Sequence, residues 1–588
     1  MSIDAANKAA NDFTQSKSKW VRVIAGPGTG KSSNLKKRLT WLVNEDGIKP
    51  EQILVLTFTS IAVQDLKKDI TALGLGDIEV STLHSLAMRI LESEKKQGRL
   101  LLDFEITTML YDLEPEIGKV RNKKAIRKQI QVKTGVEDLS DEEKKLEAGR
   151  NKWLKQHHGL DLNDVISEVC GILKNNNAAK KRWRYSRILV DEYQDLNEAE
   201  QEFVDLLVAP SGKLTVIGDD DQSIYEFKGA YPDGIRLFPE KHPKCEDIRF
   251  TVCFRCPKSV VKKAETLIKH NRNRIDDKEF EANPDFTEGE IQTIFSKTPE
   301  EEIEQLCMLI QEESKHINVG QIVVLVPVKE RGRKLHDALQ ESGIPTLFCF
   351  RDFDFNIKEN RNAFAYLTLA ADPEDLISWR YLLGCDSKDR RSLSYKRILE
   401  FAKKEKTGIL ETLDKCISGE VKIPYTSALV SRYSRIKPQV EQIRAKPTLL
   451  QNMLNNNTHF MSVLDQAIKT YWSSGGPSAV RTAILDAVFS TEAIVASENV
   501  RIMSLHAAKG LSAKIVIIMS AVESLIPLVS SGTLEEQRRL FYVAITRCKG
   551  GKEGEHPGKL IISAFRQSEN GDKEYTLTRF LQEMEPES

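Results

Sequence analysis

The 588-residue sequence lacks the features of a membrane or exported protein. No stretch approaches the ~18 consecutive apolar residues of a membrane-spanning helix, and the first residues, MSIDAANKAAND, have no signal-peptide apolar core. A cytoplasmic protein is therefore expected. The nine cysteines are scattered, and only Cys253 and Cys256 form a CxxC pair. Because no second pair follows at metal-binding spacing, we predict reduced structural thiols rather than a zinc or iron–sulfur site.

The sequence also has no net charge, with 86 basic and 86 acidic residues, so its overall charge does not favour nucleic-acid binding. Two local basic clusters stand out: Lys119, Arg121, Lys123, Lys124, Arg127 and Lys128, and then Lys180, Lys181, Arg182, Arg184 and Arg187. Such clusters can follow a phosphate backbone, but they are also typical of solvated helix faces. No internal repeat or long linker is evident, and the length predicts roughly three to five domains.

The glycine-rich stretch AGPGTGKS follows an apolar run at 21–24, which predicts a buried parallel strand, and precedes apolar residues at helical spacing. This order is typical of a phosphate-binding loop, with Ala25 in place of the usual first glycine. Lys31 is predicted to contact the β- and γ-phosphates, and the Ser32 hydroxyl to hold Mg²⁺. The alternative is a glycine-rich turn that binds nothing. The predicted nucleotide-binding residues here are Ala25, Gly26, Pro27, Gly28, Thr29, Gly30, Lys31, Ser32 and Ser33.

Strands and helices alternate along the chain. Short apolar runs predict strands at 53–56, near Val80, and at 188–190, 214–217, 291–294, 322–326, 500–503 and 515–518. Two segments, 90–185 and 381–494, lack strand signals and are helical in character. The pattern predicts an α/β protein whose parallel sheets carry helices on both faces, interrupted by two helical insertions.

Polar residues follow two of the predicted strands. Asp191 and Glu192 end one strand, where an NTPase needs one carboxylate to orient Mg²⁺ and another to polarise the attacking water. An acidic pair at a strand end is also often a helix cap. Gln222 follows the next strand, where its amide could sense a γ-phosphate. Tyr225 and Phe227 lie just beyond as candidate stacking surfaces for bases, with buried core aromatics as the alternative.

The ordered motifs resemble those of the UvrD/Rep/PcrA-like branch of superfamily 1 helicases. They are AGPGTGKS, LTFTS, STLHSL, LVDEYQD, IGDDDQSIYEFKGA, FTVCFRCP, IMSLHAAKGL and EEQRRLFYVAITR. The resemblance implies two RecA-like domains with ATP between them, each carrying an inserted helical subdomain. On this basis the first domain takes 1–89 and 186–280 with its insertion at 90–185, and the second takes 281–380 and 495–588 with its insertion at 381–494.

The same resemblance implies further site residues. Arg255 and Arg547 would reach the γ-phosphate from the side of the second domain, and Phe254 would stack on the adenine. Lys509 and Gly510 would help to link the ATP cleft to the bound strand. The positions that match the family's contacts to single-stranded nucleic acid are Phe58, His84, Tyr225, Phe227 and His506.

The chain departs from the family pattern at three points. The family usually has a glutamine about twenty residues before the loop lysine, whereas Gln15 is only sixteen residues before it. Ser512 and Ala513 replace a Glu-Phe pair whose acid contacts the ribose, and Phe227-Lys228 replaces Trp-Arg. These departures remove no hydrolytic residue, and they predict weak discrimination between nucleotides.

We therefore expect an ATP- and Mg²⁺-dependent helicase that moves 3′ to 5′ on single-stranded DNA and unwinds tailed duplex DNA, in repair, replication or a related process. One alternative is a regulatory ATPase that senses or displaces DNA within a larger complex and unwinds poorly alone. A small-molecule phosphotransferase is a third possibility, but it leaves Arg547 and the aromatic residues unexplained. No nuclease motif is visible, so any nuclease would be a separate protein partner.

Overall fold

The computed structural model describes residues 3–94, 98–117, 141–350, 354–387, 390–454, 459–489, 498–528, 532–568 and 571–586. The strands are β1 (Trp20–Ala25), β2 (Ile53–Thr57), β3 (Glu79–Thr82), β4 (Arg99–Leu100), β5 (Gly159–Leu160), β6 (Tyr185–Val190), β7 (Val208–Gly218), β8 (Glu246–Phe250), β9 (Val252–Cys253), β10 (Glu281–Ala282), β11 (Glu290–Ser296), β12 (Ile322–Val326), β13 (Thr346–Phe348), β14 (Val500–Ser504), β15 (Ile515–Ile518) and β16 (Lys559–Phe565).

Helices separate most of these strands. They are α1 (Ile3–Gln15), α2 (Lys31–Asn44), α3 (Ser60–Ala72), α4 (Leu83–Ser93), α5 (Asp103–Ile117), α6 (Asp141–His157), α7 (Leu162–Asn175), α8 (Asn177–Arg182), α9 (Glu198–Leu207), α10 (Asp233–Arg236), α11 (Phe238–Lys241), α12 (Lys258–Ile268), α13 (Pro299–Glu313), α14 (Lys329–Glu341), α15 (Lys358–Ala371), α16 (Leu376–Gly384), α17 (Ser392–Glu405), α18 (Ile409–Ser418), α19 (Ser427–Ala445), α20 (His459–Phe489), α21 (Leu534–Ile545) and α22 (Arg579–Glu583).

The first sheet has six parallel strands in the order β3-β2-β6-β7-β1-β8. All five residues of β2 are buried, as expected for a strand covered on both faces. The apolar face of α2 packs against the sheet through Leu35, Leu39 and Leu42. This packing fixes the loop between β1 and α2 at the carboxyl edge of the sheet, where α/β folds bind ligands.

The second sheet also has six parallel strands, in the order β11-β16-β15-β12-β14-β13. Its central strands β12 and β15 are wholly buried, and α13 and α14 cover one face. Together the two sheets confirm the predicted α/β class with two RecA-like parallel sheets, each interrupted by a helical insertion: 83–184 separates β3 from β6, and 349–499 separates β13 from β14.

The chain forms two compact units. The first comprises 1–87, 169–350 and 491–588 and contains both six-stranded sheets. The second comprises 88–168 and 351–490, and it is mainly helical. Its core is built from the apolar faces of α15, α16, α19 and α20. No helix in the part of the chain that the structure describes is long and apolar enough to cross a membrane.

Two ion pairs join the chain segments of the second unit. Arg99 Nε lies 2.6 Å from Asp375 Oδ2, and Arg380 Nη2 lies 2.5 Å from Asp112 Oδ1. Compared with the predicted insertions, the second unit also includes 351–380, because α15 and α16 bury their side chains in the helical core. It does not include 169–185, which belongs to the first unit. The finer domain boundaries therefore stay predictions.

Candidate nucleotide cleft and strand-binding surface

The loop between β1 and α2 has the shape of an anion cradle. Gly30 adopts a left-handed conformation (φ 85°), and no side chain caps the N-terminus of α2, so its first N–H groups remain available to an anion. Gly28 is also left-handed (φ 69°), and a Cβ there would lie 2.4 Å from the Cβ of Arg255. The Thr29 hydroxyl donates to the Gly26 carbonyl at 2.9 Å and braces the turn. The loop therefore fits a nucleotide's phosphates.

Lys31 and Glu192 meet across this loop. Lys31 Nζ lies 3.0 Å from Glu192 Oε1, and Gln194 Nε2 donates to Glu192 Oε2 at 2.6 Å. Burial alone would raise the pKa of Glu192, but the charges of Lys31 and Lys509 outweigh it and hold that pKa well below its usual range. Glu192 is in the left-handed region (φ 55°), a strained conformation that functional residues often adopt. Its carboxylate is thus charged and directed at the loop.

Asp191 follows the last residue of β6 and accepts a hydrogen bond from the Glu192 amide at 3.0 Å. Burial, and next the charge of Glu192, raise the pKa of Asp191. Ser32 is exposed in the first turn of α2. A carboxylate and a hydroxyl oxygen are the ligand types that Mg²⁺ takes in NTPases. The donor set therefore fits Mg²⁺ with a nucleotide.

Gln222 is buried in the first part of the loop that follows β7. Its Nε2 donates to Asp219 Oδ2 at 2.9 Å, and the Asp219 amide donates to Gln194 Oε1 at 3.1 Å. Gln194 thus connects Glu192 with Asp219, and through Asp219 with Gln222. Lys31, Glu192 and Gln222 therefore belong to one hydrogen-bonded network.

Lys509 connects this hydrogen-bonded network to the second sheet, since it lies between β14 and β15. It is paired with Asp195, its Nζ donates to the Gln222 carbonyl at 2.9 Å, and it lies 3.5 Å from Glu192 Oε2. The same ammonium lies 5.5 Å from the ring centroid of Tyr225. The neighbouring Gly510 is exposed and left-handed, with φ 86°.

Arg255 lies beside the phosphate loop, and Arg547 is close enough to Arg255 for their charges to interact. The Phe254 amide donates to the Gly28 carbonyl at 2.8 Å, which holds the Phe254–Arg255 segment against the loop. Arg547 is buried, and its Nε donates to the Val543 carbonyl at 2.8 Å. Burial, and next the charge of Arg255, lower the pKa of Arg547 to about 9. Two adjacent guanidinium groups repel each other, so an anion between them would be favoured.

Phe254 has the exposure expected of a stacking surface. Its side chain is 44% exposed although it lies between the two buried cysteines Cys253 and Cys256. An exposed ring face leaves room for a base to stack on it. Stacking of Phe254 on the adenine stays a prediction.

Four of the five predicted strand-binding residues form an aromatic cluster, which we define as Phe58, Tyr225, Phe227 and His506. Phe58 stacks on Tyr225 with centroids 5.4 Å apart, and Phe227 meets His506 edge-on at 5.4 Å. All four are partly exposed, so they form a surface and are not buried core aromatics. Lys228 lies 5.0 Å above the Tyr225 ring. Aromatic faces beside a cation are what a single strand stacks on.

His84 lies outside this cluster. Its Nδ1 is 3.6 Å from Glu200 Oε1, and burial lowers its pKa. Within the described ranges no ring contact joins it to the four aromatic residues. Of the two basic clusters, the one at 119–128 lies outside the described residues, and Arg187 of the other pairs with Asp46 at 3.0 Å.

Family models match both halves of the chain. The UvrD/REP helicase N-terminal domain matches residues 6–152 and 111–243, and the UvrD-like helicase C-terminal domain matches 248–474 and 427–551. The chain belongs to the UvrD-like helicase family. Similar relatives include the ATP-dependent DNA helicase PcrA of Leuconostoc citreum, 25% identical over 89% of this chain and 78% of the relative. The ATP-dependent DNA helicase Rep of Buchnera aphidicola is 25% identical over 93% of this chain and 94% of the relative.

One feature of this UvrD-like chain was missed by the sequence analysis. Lys278, Arg274 and Arg236 surround three consecutive buried carboxylates, which we call the aspartate triplet: Asp219, Asp220 and Asp221. The three cations come from the segment 236–278, and no local spacing indicates them. The sequence does show three adjacent acidic residues after a buried strand. Such a run indicates that cationic partners lie nearby, because buried charges need partners.

The two departures that concern the base and the ribose lie at exposed positions. Gln15 and Ser512 are exposed, whereas Ala513 beside Ser512 is buried. Neither the Gln15 nor the Ser512 side chain is held in a buried contact that would define a base- or ribose-reading group. Weak nucleotide discrimination therefore stays a prediction.

Proposed function

We propose that this chain is an ATP-dependent helicase that translocates 3′ to 5′ on single-stranded DNA and unwinds duplex DNA, in repair, replication or a related transaction. The single observation that carries the proposal is the position of Lys509. It contacts the carboxylates behind the phosphate loop, the carbonyl of Gln222 and the face of Tyr225 at once. A nucleotide-dependent movement in the cleft would therefore shift Lys509 and change its contact with Tyr225, on which the strand is proposed to stack.

In the proposed hydrolysis, Lys31 leaves Glu192 for the β- and γ-phosphates, and Glu192 then accepts a proton from the attacking water. Ser32 and Asp191 would hold Mg²⁺, which would neutralise charge on the phosphate oxygens. Arg255 and Arg547 would stabilise the charge that spreads over the γ-phosphoryl oxygens in the transition state. The Gln222 amide would sense that group.

The coupling step uses the loop from Asp219 to Lys228. Its first part holds Gln222 in the cleft, and its last part carries Tyr225 and Phe227 on the strand-binding surface. α21 holds the same loop: Arg539 Nε donates to the Ser223 carbonyl at 2.9 Å, and Glu536 Oε1 accepts from the Phe227 amide at 3.2 Å. The two sites therefore share one loop and one helix.

The first test compares ATP turnover with and without single-stranded DNA, and then unwinding of 3′-tailed and 5′-tailed duplexes. We expect strong stimulation by the strand and unwinding of the 3′-tailed substrate only. Stimulated turnover without unwinding would favour a DNA-stimulated regulatory ATPase instead. ATP turnover that does not change when single-stranded DNA is added would contradict both the helicase and the regulatory ATPase, and it would favour a small-molecule phosphotransferase.

A variant pair tests the strand-binding surface itself. Phe227→Ala should weaken single-strand binding about 5- to 150-fold, since stacking contributes ~1–3 kcal/mol per base. Phe295→Ala is the matched control, because Phe295 is 46% exposed on β11, an edge strand of the second sheet. Fluorescence anisotropy with a labelled oligonucleotide measures both. Equal affinities for the two variants would show that the aromatic cluster does not bind the strand.

A further inference from the structure

Cys253 and Cys256 enclose the two residues assigned to the nucleotide cleft, Phe254 and Arg255. Cys253 is the last residue of β9, and Pro257 precedes α12. The segment is therefore a C-x-x-C-P turn between a strand and a helix. Its two cysteines have no part in the proposed hydrolysis.

Cys253 and Cys256 are joined by a hydrogen bond across one tight turn. The Cys256 amide donates to Cys253 Sγ at 3.3 Å, so the sulfur of Cys253 is turned towards Cys256. The Cys256 thiol donates to the Thr546 carbonyl at 3.3 Å. Both are free and fully buried, and both lie in the same apolar core. The turn nonetheless reaches the surface at Phe254.

The surroundings of Cys253 favour its thiolate. Burial would raise the pKa of Cys253, but its interactions with the Cys256 side chain and with the amides of Cys256 and Arg255 outweigh burial and lower it. The Arg255 charge acts in the same direction. A thiolate can attack a peroxide that reaches it, and a second cysteine in the same turn can then close the disulfide.

We propose that Cys253 and Cys256 are a redox-active dithiol, a modification site that a hydroperoxide oxidises to an intramolecular disulfide. With hydrogen peroxide, the Cys253 thiolate attacks one peroxide oxygen; the O–O bond breaks and hydroxide leaves, giving a sulfenic acid. Cys256 then attacks that sulfur, its thiol proton goes to the departing hydroxide, and water is released. In sum, two thiols and one H₂O₂ give one disulfide and two H₂O.

The disulfide would act on ATP hydrolysis, a consequence that rests on the proposed function. A disulfide brings the sulfurs to about 2.05 Å and removes the thiol that Cys256 donates to Thr546. Arg255 has little room to adjust: its Cβ occupies the space above Gly28, and its carbonyl accepts from the Gly550 amide at 2.8 Å. The closure would therefore displace the arginine that meets the γ-phosphate.

The experiment treats the full chain with hydrogen peroxide, blocks remaining thiols with N-ethylmaleimide and maps peptides by mass spectrometry. We expect the peptide containing Cys253 and Cys256 to lose two hydrogen atoms and take up no label, while buried Cys385 stays a thiol. ATP turnover should fall at least about tenfold, as for a misplaced catalytic group, and return with dithiothreitol.

Cys256→Ser should keep its turnover in peroxide, because serine can still donate to Thr546 but cannot form the disulfide. Cys548→Ser, a change to a third buried thiol of the same core, should remain peroxide-sensitive like the unchanged chain. A labelled, unbridged pair, or equal inactivation of Cys256→Ser, would overturn the proposal, and so would a disulfide that leaves turnover unchanged. A reduced chain without ATP turnover would refute the proposed function alone, since the mass measurement does not depend on it.

Discussion

Lys278→Met tests the ion cluster that holds the start of the loop after β7. Lys278 Nζ lies 2.9 Å from Asp219 Oδ1 and 2.5 Å from Asp220 Oδ1, and it also pairs with Asp221. Burial would lower the pKa of Lys278, but the three carboxylates outweigh it and raise that pKa, so the ammonium stays charged at working pH.

The expected loss of stability in Lys278→Met follows from the number of charges in the cluster. The aspartate triplet carries three negative charges, and Lys278, Arg274 and Arg236 carry three positive charges. Methionine at 278 fills similar space but leaves one buried negative charge without a partner. Breaking a buried ion pair in this way costs about 3–5 kcal/mol. Asp219 also accepts from Gln222, so the ATP turnover of the variant should fall as well.

Hydrogen-exchange mass spectrometry is the suitable assay, because a chain with two compact units does not unfold in one two-state step. The free energy of opening for β7 peptides should fall by the amount above. Lys263→Met is the matched control: its partner Glu585 is 63% exposed, and such surface pairs contribute ~0–1 kcal/mol. Adding Asp221→Asn to Lys278→Met should recover part of the loss by balancing the charges. A loss no larger than that of Lys263→Met would refute the reasoning.

Three further predictions concern the nucleotide cleft. Lys31→Ala should abolish ATP turnover, because the phosphates lose their ammonium partner. Near-normal steady-state hydrolysis would contradict the assignment of 25–33 as a phosphate-binding loop. Glu192→Gln and Arg547→Ala should each lower turnover by at least about 10²-fold while nucleotide and single-strand affinities persist; a collapse of nucleotide affinity in the first, or of strand affinity in the second, would reveal a structural role. With Ser512 in place of an acid and only Phe254 on the base, kcat/KM for GTP and dATP should lie within about tenfold of ATP, and a hundredfold preference for ATP in steady-state kinetics would exclude this.

The strands could be predicted from the sequence because parallel strands buried on both faces need continuous apolar runs. The run at 322–326 became β12 (Ile322–Val326), and the glycine-rich loop followed β1 as predicted. Chain order along a sheet edge then places Asp191 near Lys31, since both follow strands that end at the same edge.

Contacts between distant side chains could not be predicted in this way. Lys278 lies 57 or more residues from the aspartate triplet, and no periodicity connects them. His84 was grouped with the aromatic residues by motif, yet its recorded partner is Glu200. The sequence predicts that 358–371 belongs to the second sheet domain, whereas α15 packs in the helical core. An apolar run alone does not reveal which core a helix joins.

Near its N-terminus, α21 contacts the loop that carries Tyr225 and Phe227. Arg547 follows the last turn of the same helix. Twelve residues of α-helix span ~18 Å and bend little. If nucleotide binding at Arg547 shifts α21, the loop that carries Phe227 shifts with it, and the free energy of a strand bound there changes. Thermodynamic reciprocity then requires that a bound strand changes nucleotide affinity by the same factor.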